Sequence, residues 1–294
     1  MQPETSHNLN TPRYLYLAVC LLGLYSTSVN ALVEYNPIQQ KFEQTKDYAQ
    51  TLNQVASIVM GHYANLVSHQ SEHAGNYPKN IQNIQIVDAK LDGLLNQQPQ
   101  TSFTLTTNIG YLEDQVVQAQ QMQESFIFDF KRKPSLVQVN RLKQKELNPE
   151  NIDAESNANY YLNRQFSYAW LLLLDGHDAP YPYLFDTGSA NYQLVIGANK
   201  YSGNTQEALK KRTTWMGKGG HLLRNIRVAK TTENSTKLIL TIDWKGVTPS
   251  NKWSIAKIEQ TIDLEKSDQG IYKIINIREQ HLLPDIAPWE KILC

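Results

Sequence analysis

Two cysteines in 294 residues leave this chain almost nothing to staple. Cys20 sits inside an N-terminal apolar run and Cys294 is the last residue, so once the leader described below is removed no intrachain disulfide can form, and the fold must rest on packed cores. Charge of either sign is also missing in excess. Lys+Arg and Asp+Glu number 28 each, which excludes the long-range field that collects nucleic acid or anionic membrane. Long apolar runs are absent beyond the first 31 residues, the longest being the WLLLL of 170–174, far short of the ~20 residues of a spanning helix. There is no phosphate-cradling glycine loop, no nucleophile elbow and no cysteine metal cluster, and nothing in the residues calls for a cofactor. What remains is a neutral chain with 41% hydrophobic residues, suited to small-molecule or protein partners and long enough for two ordinary domains.

Residues 1–31 read as a signal peptide. Arg13 precedes the run YLYLAVCLLGLY, and STSVNA then offers a small-residue cleavage site at Val29-Asn30-Ala31. The expected mature N-terminus is Leu32 and the expected location periplasmic or secreted, with no membrane contact after cleavage; retention as an anchor is the rival reading. Cys20 follows Val19 in mid-run, which does not suit lipid attachment.

Hydrophobic periodicity places a long amphipathic helix from Phe42 to about Ser68, with Leu52, Val55, Ala56, Val59, Tyr63 and Leu66 on its apolar stripe. Four alternating segments follow and read as an antiparallel meander. After a polar linker at 148–156, a second unit opens with a helix over roughly 157–174 that ends at Asp175-Gly176. It continues through a helix over Thr205–Trp215 to four more strands. The phrase KNIQNIQIVDAK, starting at Lys79, returns as HLLRNIRVAK at His221, and the strands after each copy agree in order, the pattern of a domain duplication with a period of ~140 residues. The chain therefore divides into 32–147, a linker at 148–156, and 157–294.

In the second unit, YAWLLLLDGHDAPYPYLFDTG (168–188), NTQEALKKRTTWMGKGGHLLRNIRV and LTIDWKG, in that order and spacing, resemble the nuclear-transport-factor-2-like superfamily, in particular its polyketide-cyclase-like (SnoaL-like) branch. The likeness covers about 157–282. It implies an α+β fold of the cystatin-like kind, with two cone-like units that each pack a helix on a curved antiparallel sheet, and an apolar pocket in the second. By the same resemblance Asp186 and His221 face that pocket, as the acid and base that move protons in enzymatic members. Asn225, four strand positions after His221, should point the same way, as should Leu223 and Arg227. A catalytic set needs a third orienting group, and the sequence names none. The first unit lacks the short helices that would close a cone, so it reads as a reduced copy that kept the sheet and lost the pocket, with Lys79 at the surface.

The implied function is binding of a small apolar or amphipathic molecule in the second cone. The alternatives are a proton-transfer enzyme (dehydratase, isomerase or cyclase) or a scaffold that uses a sheet face for protein contacts, a homodimer among them. Tyr168, Trp170, Tyr192, Trp215 and Trp244, with Tyr181 and Tyr183, could line the ligand site or fill the core. His69–His73 (HQSEH) fits the H-x-x-E-H pattern of inverted zinc peptidases, with His62 on the same flank. The helix is failing there and both histidines fall off its apolar stripe, so no metal site is expected.

Overall fold

A computed structural model of the chain describes residues 45–68, 77–92, 100–130, 135–152, 158–177, 185–186, 190–232, 234–266 and 272–282. The leader, the His69–His73 motif, Tyr181, Tyr183 and Cys294 lie outside these residues.

Helix α1 spans Thr45–Ser68. Strands β1 (Ile81–Asp92), β2 (Gln100–Glu113), β3 (Val116–Asp129) and β4 (Ser135–Leu147) follow and form an antiparallel sheet in chain order. The alternation that predicts β3 is realised in its burial: Met122, Phe126 and Phe128 face inward with Glu124 among them. Among the described residues the linker holds a 3₁₀ turn, Pro149–Asn151, capped by the Asn148 side chain.

The second unit begins with α2 (Ala158–Leu174), followed by β5 (Phe185–Asp186), β6 (Asn191–Ile196), β7 (Asn199–Asn204), α3 (Thr205–Met216), β8 (Lys218–Thr231), β9 (Ser235–Val247), β10 (Trp253–Lys266) and β11 (Tyr272–His281). Their sheet runs β7-β6-β11-β10-β9-β8, with β5 paired to β11. The fold class is α+β, as the sequence implies. Between Asp186 and α3 lies the β6–β7 hairpin, which joins the sheet by parallel pairing of β6 with β11.

The sequence assigns α1 one apolar stripe, yet every residue from Thr51 to Gly61 is buried. A helix buried all round is packed on more than one side. Here α1 contacts α2, β8 and β9 of the second unit as well as its own β1. Its polar flank is met by specific partners: Ser57 Oγ donates to the Gln165 carbonyl (3.3 Å) and Asn53 Nδ2 to the His221 carbonyl (2.9 Å). Tyr63 packs against Phe126 of the first sheet and Tyr161 of α2, and the Tyr161 hydroxyl donates to the Ile84 carbonyl. In consequence the buried apolar residues form one contiguous cluster drawn from both sheets, where the sequence implies two separately closed cores.

Candidate functional site

Helix α2 stops where Gly176 takes a left-handed conformation (φ 79°) that the Asp-Gly dipeptide supplies at little cost, and the His177 amide closes back on the Leu172 carbonyl. This termination delivers the Asp175 carboxylate to the start of β8. There it accepts the His221 backbone amide (3.1 Å) and the ring Nδ1–H of the same residue. The ring's other nitrogen, Nε2, faces Arg212 Nη2 at 2.5 Å. A guanidinium only donates, so Nε2 accepts and the proton sits on Nδ1: His221 is the neutral tautomer, held from both sides.

Arg212 comes from α3. That helix starts at Thr205 because the Asn204 side chain caps the Glu207 amide (2.9 Å), and its inward positions are Thr205, Ala208, Arg212 and Met216. A guanidinium on this stripe needs a counter-charge, and Glu279 of β11 provides it: Arg212 Nε reaches both carboxylate oxygens, at 2.9 and 3.0 Å. Glu279 also accepts from the Tyr192 hydroxyl, from Gln260 Nε2 (2.7 Å) and from His281 Nε2 (3.1 Å), while Gln260 Oε1 accepts from Trp170 Nε1 (2.8 Å). The result is a continuous buried relay from Asp175 through His221, Arg212 and Glu279 to Tyr192, Gln260 and Trp170.

Burial, assisted by the charge of Arg212, lowers the His221 pKa below its ordinary value despite the opposing effect of Asp175. Burial alone would raise Glu279, but the Arg212 guanidinium and the hydrogen bonds from His281 and Tyr192 hold it well below the usual carboxylate range. Burial likewise lifts the Tyr192 hydroxyl, reinforced by the negative charge of Glu279. These directions fix a pH dependence. The unfolded chain binds a proton at His221 more readily than the folded one, so this histidine's contribution is fully present above the unfolded pKa of ~6.5 and is lost as pH falls below it, by at most about 1.4 kcal/mol per pH unit. Urea titrations between pH 7.5 and 5 should show this slope, and His221→Gln should flatten it.

Of the residues the sequence singles out, His221 is the hub, and the carboxylate on its ring belongs to Asp175, which the sequence marks only as a helix stop. Asp186 lies in β5, opposite Lys273 of β11, and its side chain is outside the described residues. Asn225 and Arg227 do not share the face of His221. A bulge at Arg224 shifts the register, so that His221 pairs with Trp244 and Leu223 with Ile242, but Asn225 pairs with Thr241. Paired residues share a face and Thr241 is three positions from Trp244, so one inserted residue turns Asn225 to the opposite side. Arg224 and Asp243 pair there at 2.6 Å.

Trp170 and Tyr192 join the relay directly, with their rings 6.5 Å apart. Trp244 is core: its indole lies over Gly219 and Gly246, where an added Cβ would come within 2.4 and 2.5 Å of it, which accounts for the glycines of GKGG and WKG. Tyr168 is two helical positions, about 200°, from Trp170 and so points elsewhere, toward the charge of Arg164. Trp215 is partly buried at the rim of the core. Lys79 is exposed in the bend before β1, at the surface as the sequence implies. Asp175, Arg212, Gln260, Glu279 and His281 are the members sequence reasoning missed. One signal was present: Arg212 and Glu279 are opposite charges placed on the inward stripes of a helix and a strand.

No helix of the described residues is long and apolar enough to cross a membrane, and no group of three or more metal-ligating side chains occurs among them. No protein-family profile matches the chain, nor does any curated protein. Solved structures similar to it include the LinA-type3 hexachlorocyclohexane dehydrochlorinase of Novosphingobium barchaimii, 14% identical over 45% of this chain and 90% of that chain, with a TM-score of 0.36. A cystatin-like-fold protein of Caulobacter vibrioides is 15% identical over 45% of this chain and 95% of that one, with a TM-score of 0.33. Both likenesses are at low identity and extend over less than half of this chain.

Proposed function

We propose that the second unit is a proton-transfer enzyme acting on a small apolar or amphipathic molecule, in an exported protein. The observation that carries this reading is the convergence on His221 of a carboxylate at Nδ1 and a guanidinium at Nε2. Asp175 fixes the tautomer and stabilises the imidazolium that would form, as an orienting carboxylate does for a catalytic histidine. A neutral imidazole with a lowered pKa is ready to accept a proton at neutral pH. At rest Nε2 is occupied, so a substrate must take the place of Arg212 Nη2. Arg212 stays anchored through Nε to Glu279, and its freed Nη2 is then positioned to stabilise the negative charge that develops as a C–H proton leaves. Removal of a proton beside a carbonyl, followed by return of the proton elsewhere or loss of a leaving group, covers the isomerase and dehydratase classes.

A second reading follows from the burial itself. His221 is 1% exposed and Arg212 3%, and the Asn53 bond to the His221 carbonyl ties the first unit to the same point, as a purely structural pin would. One experiment separates the two. Wild type, Asp175→Asn and His221→Gln are assayed for solvent deuterium incorporation and for elimination on a panel of small apolar ketones and β-hydroxyketones. The enzyme reading expects turnover in wild type and a loss of about 10²–10⁴-fold in both variants. Wild-type silence across the panel, with both variants merely less stable, would leave the structural pin as the account.

A further inference from the structure

The first unit is not a blank copy. Beside its β2–β3 turn lies a hollow of about 600 Å³, lined by Tyr77, Lys79, Tyr111, Gln120 and Gln144 together with Glu113 and Asp114 of the turn. That volume falls in the range of small-molecule sites, ~300–1,000 Å³. Its amides are held in place: Arg141 Nη1 donates to Gln144 Oε1 (3.1 Å), and Gln144 Nε2 donates to Gln120 Oε1 (2.6 Å). Each amide nitrogen carries two hydrogens, and those contacts together with the Gln120–Met122 contact use one of each. The Tyr77 wall is fixed from behind. Its hydroxyl meets His62 Nε2 at 3.3 Å and bonds the buried Glu124, which the Tyr63 hydroxyl also reaches (3.4 Å), and Arg141 lies over its ring at 5.7 Å.

We propose that this hollow binds a small neutral polyhydroxylated ligand, of the size of a mono- or disaccharide. An apolar ligand would cover the second N–H of the Gln120 and Gln144 amides and leave it without an acceptor. An ionic ligand would meet Lys79 beside Glu113 and Asp114, rim charges of mixed sign that favour neither anion nor cation. Hydroxyls that both donate and accept suit amide and phenol partners, and tyrosine rings suit the apolar face of a sugar ring.

The test uses the mature full-length chain, titrated by calorimetry and ligand-observed NMR with glucose, galactose, N-acetylglucosamine and cellobiose, and with glucuronate and glucosamine as charged controls. The expected result is saturable binding of at least one neutral sugar at roughly millimolar Kd or better. Tyr111→Ala and Gln144→Ala should each weaken it by about tenfold or more, and His221→Gln should leave it unchanged. Tyr111 packs partly against the core, so the more exposed Gln144 supplies the variant whose fold is not in question. Absence of binding to every neutral sugar, binding that Gln144→Ala does not weaken, or preference for a charged control would overturn the proposal.

Discussion

Arg212→Met should lower the unfolding free energy by about 3–5 kcal/mol, because it leaves the fully buried Glu279 carboxylate without its counter-charge. Loss of the Arg212 charge and hydrogen bond also releases Nε2 of His221. The informative comparison is Arg212→Met/Glu279→Leu. Removing both charges removes the uncompensated one, so the double variant should regain at least ~1 kcal/mol over Arg212→Met. Recovery stays partial because Tyr192, Gln260 and His281 lose their common acceptor. Urea denaturation of wild type, both single variants and the double variant, at constant m-value, measures the coupling. A cost below about 1 kcal/mol for Arg212→Met would mean that water reaches Glu279 and that the relay is not the closed network described here.

The second large effect concerns α1. A fragment starting at residue 157 carries α2, α3 and the seven-stranded sheet, and the repeat pattern implies that it should fold alone. The structure leads to the opposite expectation. Leu52, Val55, Ala56, Ile58, Val59, Met60, Tyr63 and Leu66 of α1 are all buried in a cluster continuous with α2 and β8. At ~1.5–3 kcal/mol per buried side chain, these residues contribute on the order of 10 kcal/mol across the two units, comparable with the whole stability of an ordinary domain. The fragment should therefore show no cooperative thermal transition and should bind a dye for exposed apolar surface, while a chain starting at residue 32 unfolds in one step. A fragment with a sharp transition and wild-type near-UV dichroism would show that the second unit closes without α1.

The regular elements were legible because each carries its own period. The α3 pattern over Thr205–Trp215 becomes a helix over Thr205–Met216, and each run of alternating residues after Lys79 and after His221 becomes a strand. Local chemistry likewise announced the Asp175-Gly176 stop. The facing of Asn225 was set by a backbone event that leaves no trace in the residue pattern. The bulge at Arg224 reverses the facing of Asn225 although its spacing from His221 is even. Asp175 was visible as a helix terminator but not as a partner of His221, because the two are 46 positions apart and meet only where the end of α2 crosses the start of β8. Arg212 and Glu279 are 67 positions apart, and although each falls on an inward stripe, neither element names the other as the partner.

Composition, periodicity and turn chemistry by themselves determined a neutral α+β chain with two helix-and-meander stretches, His221 near the start of one strand and Lys79 just ahead of another. The tertiary structure alone decided that α1 is shared between the halves, that the acid opposite His221 is Asp175, and that Arg212 and Glu279 are paired inside the core. The division has a physical reason. Propensity and hydrophobic period act over a few residues, whereas the pairing of buried charges and the covering of a helix on several sides depend on which surfaces meet once the chain has closed on itself.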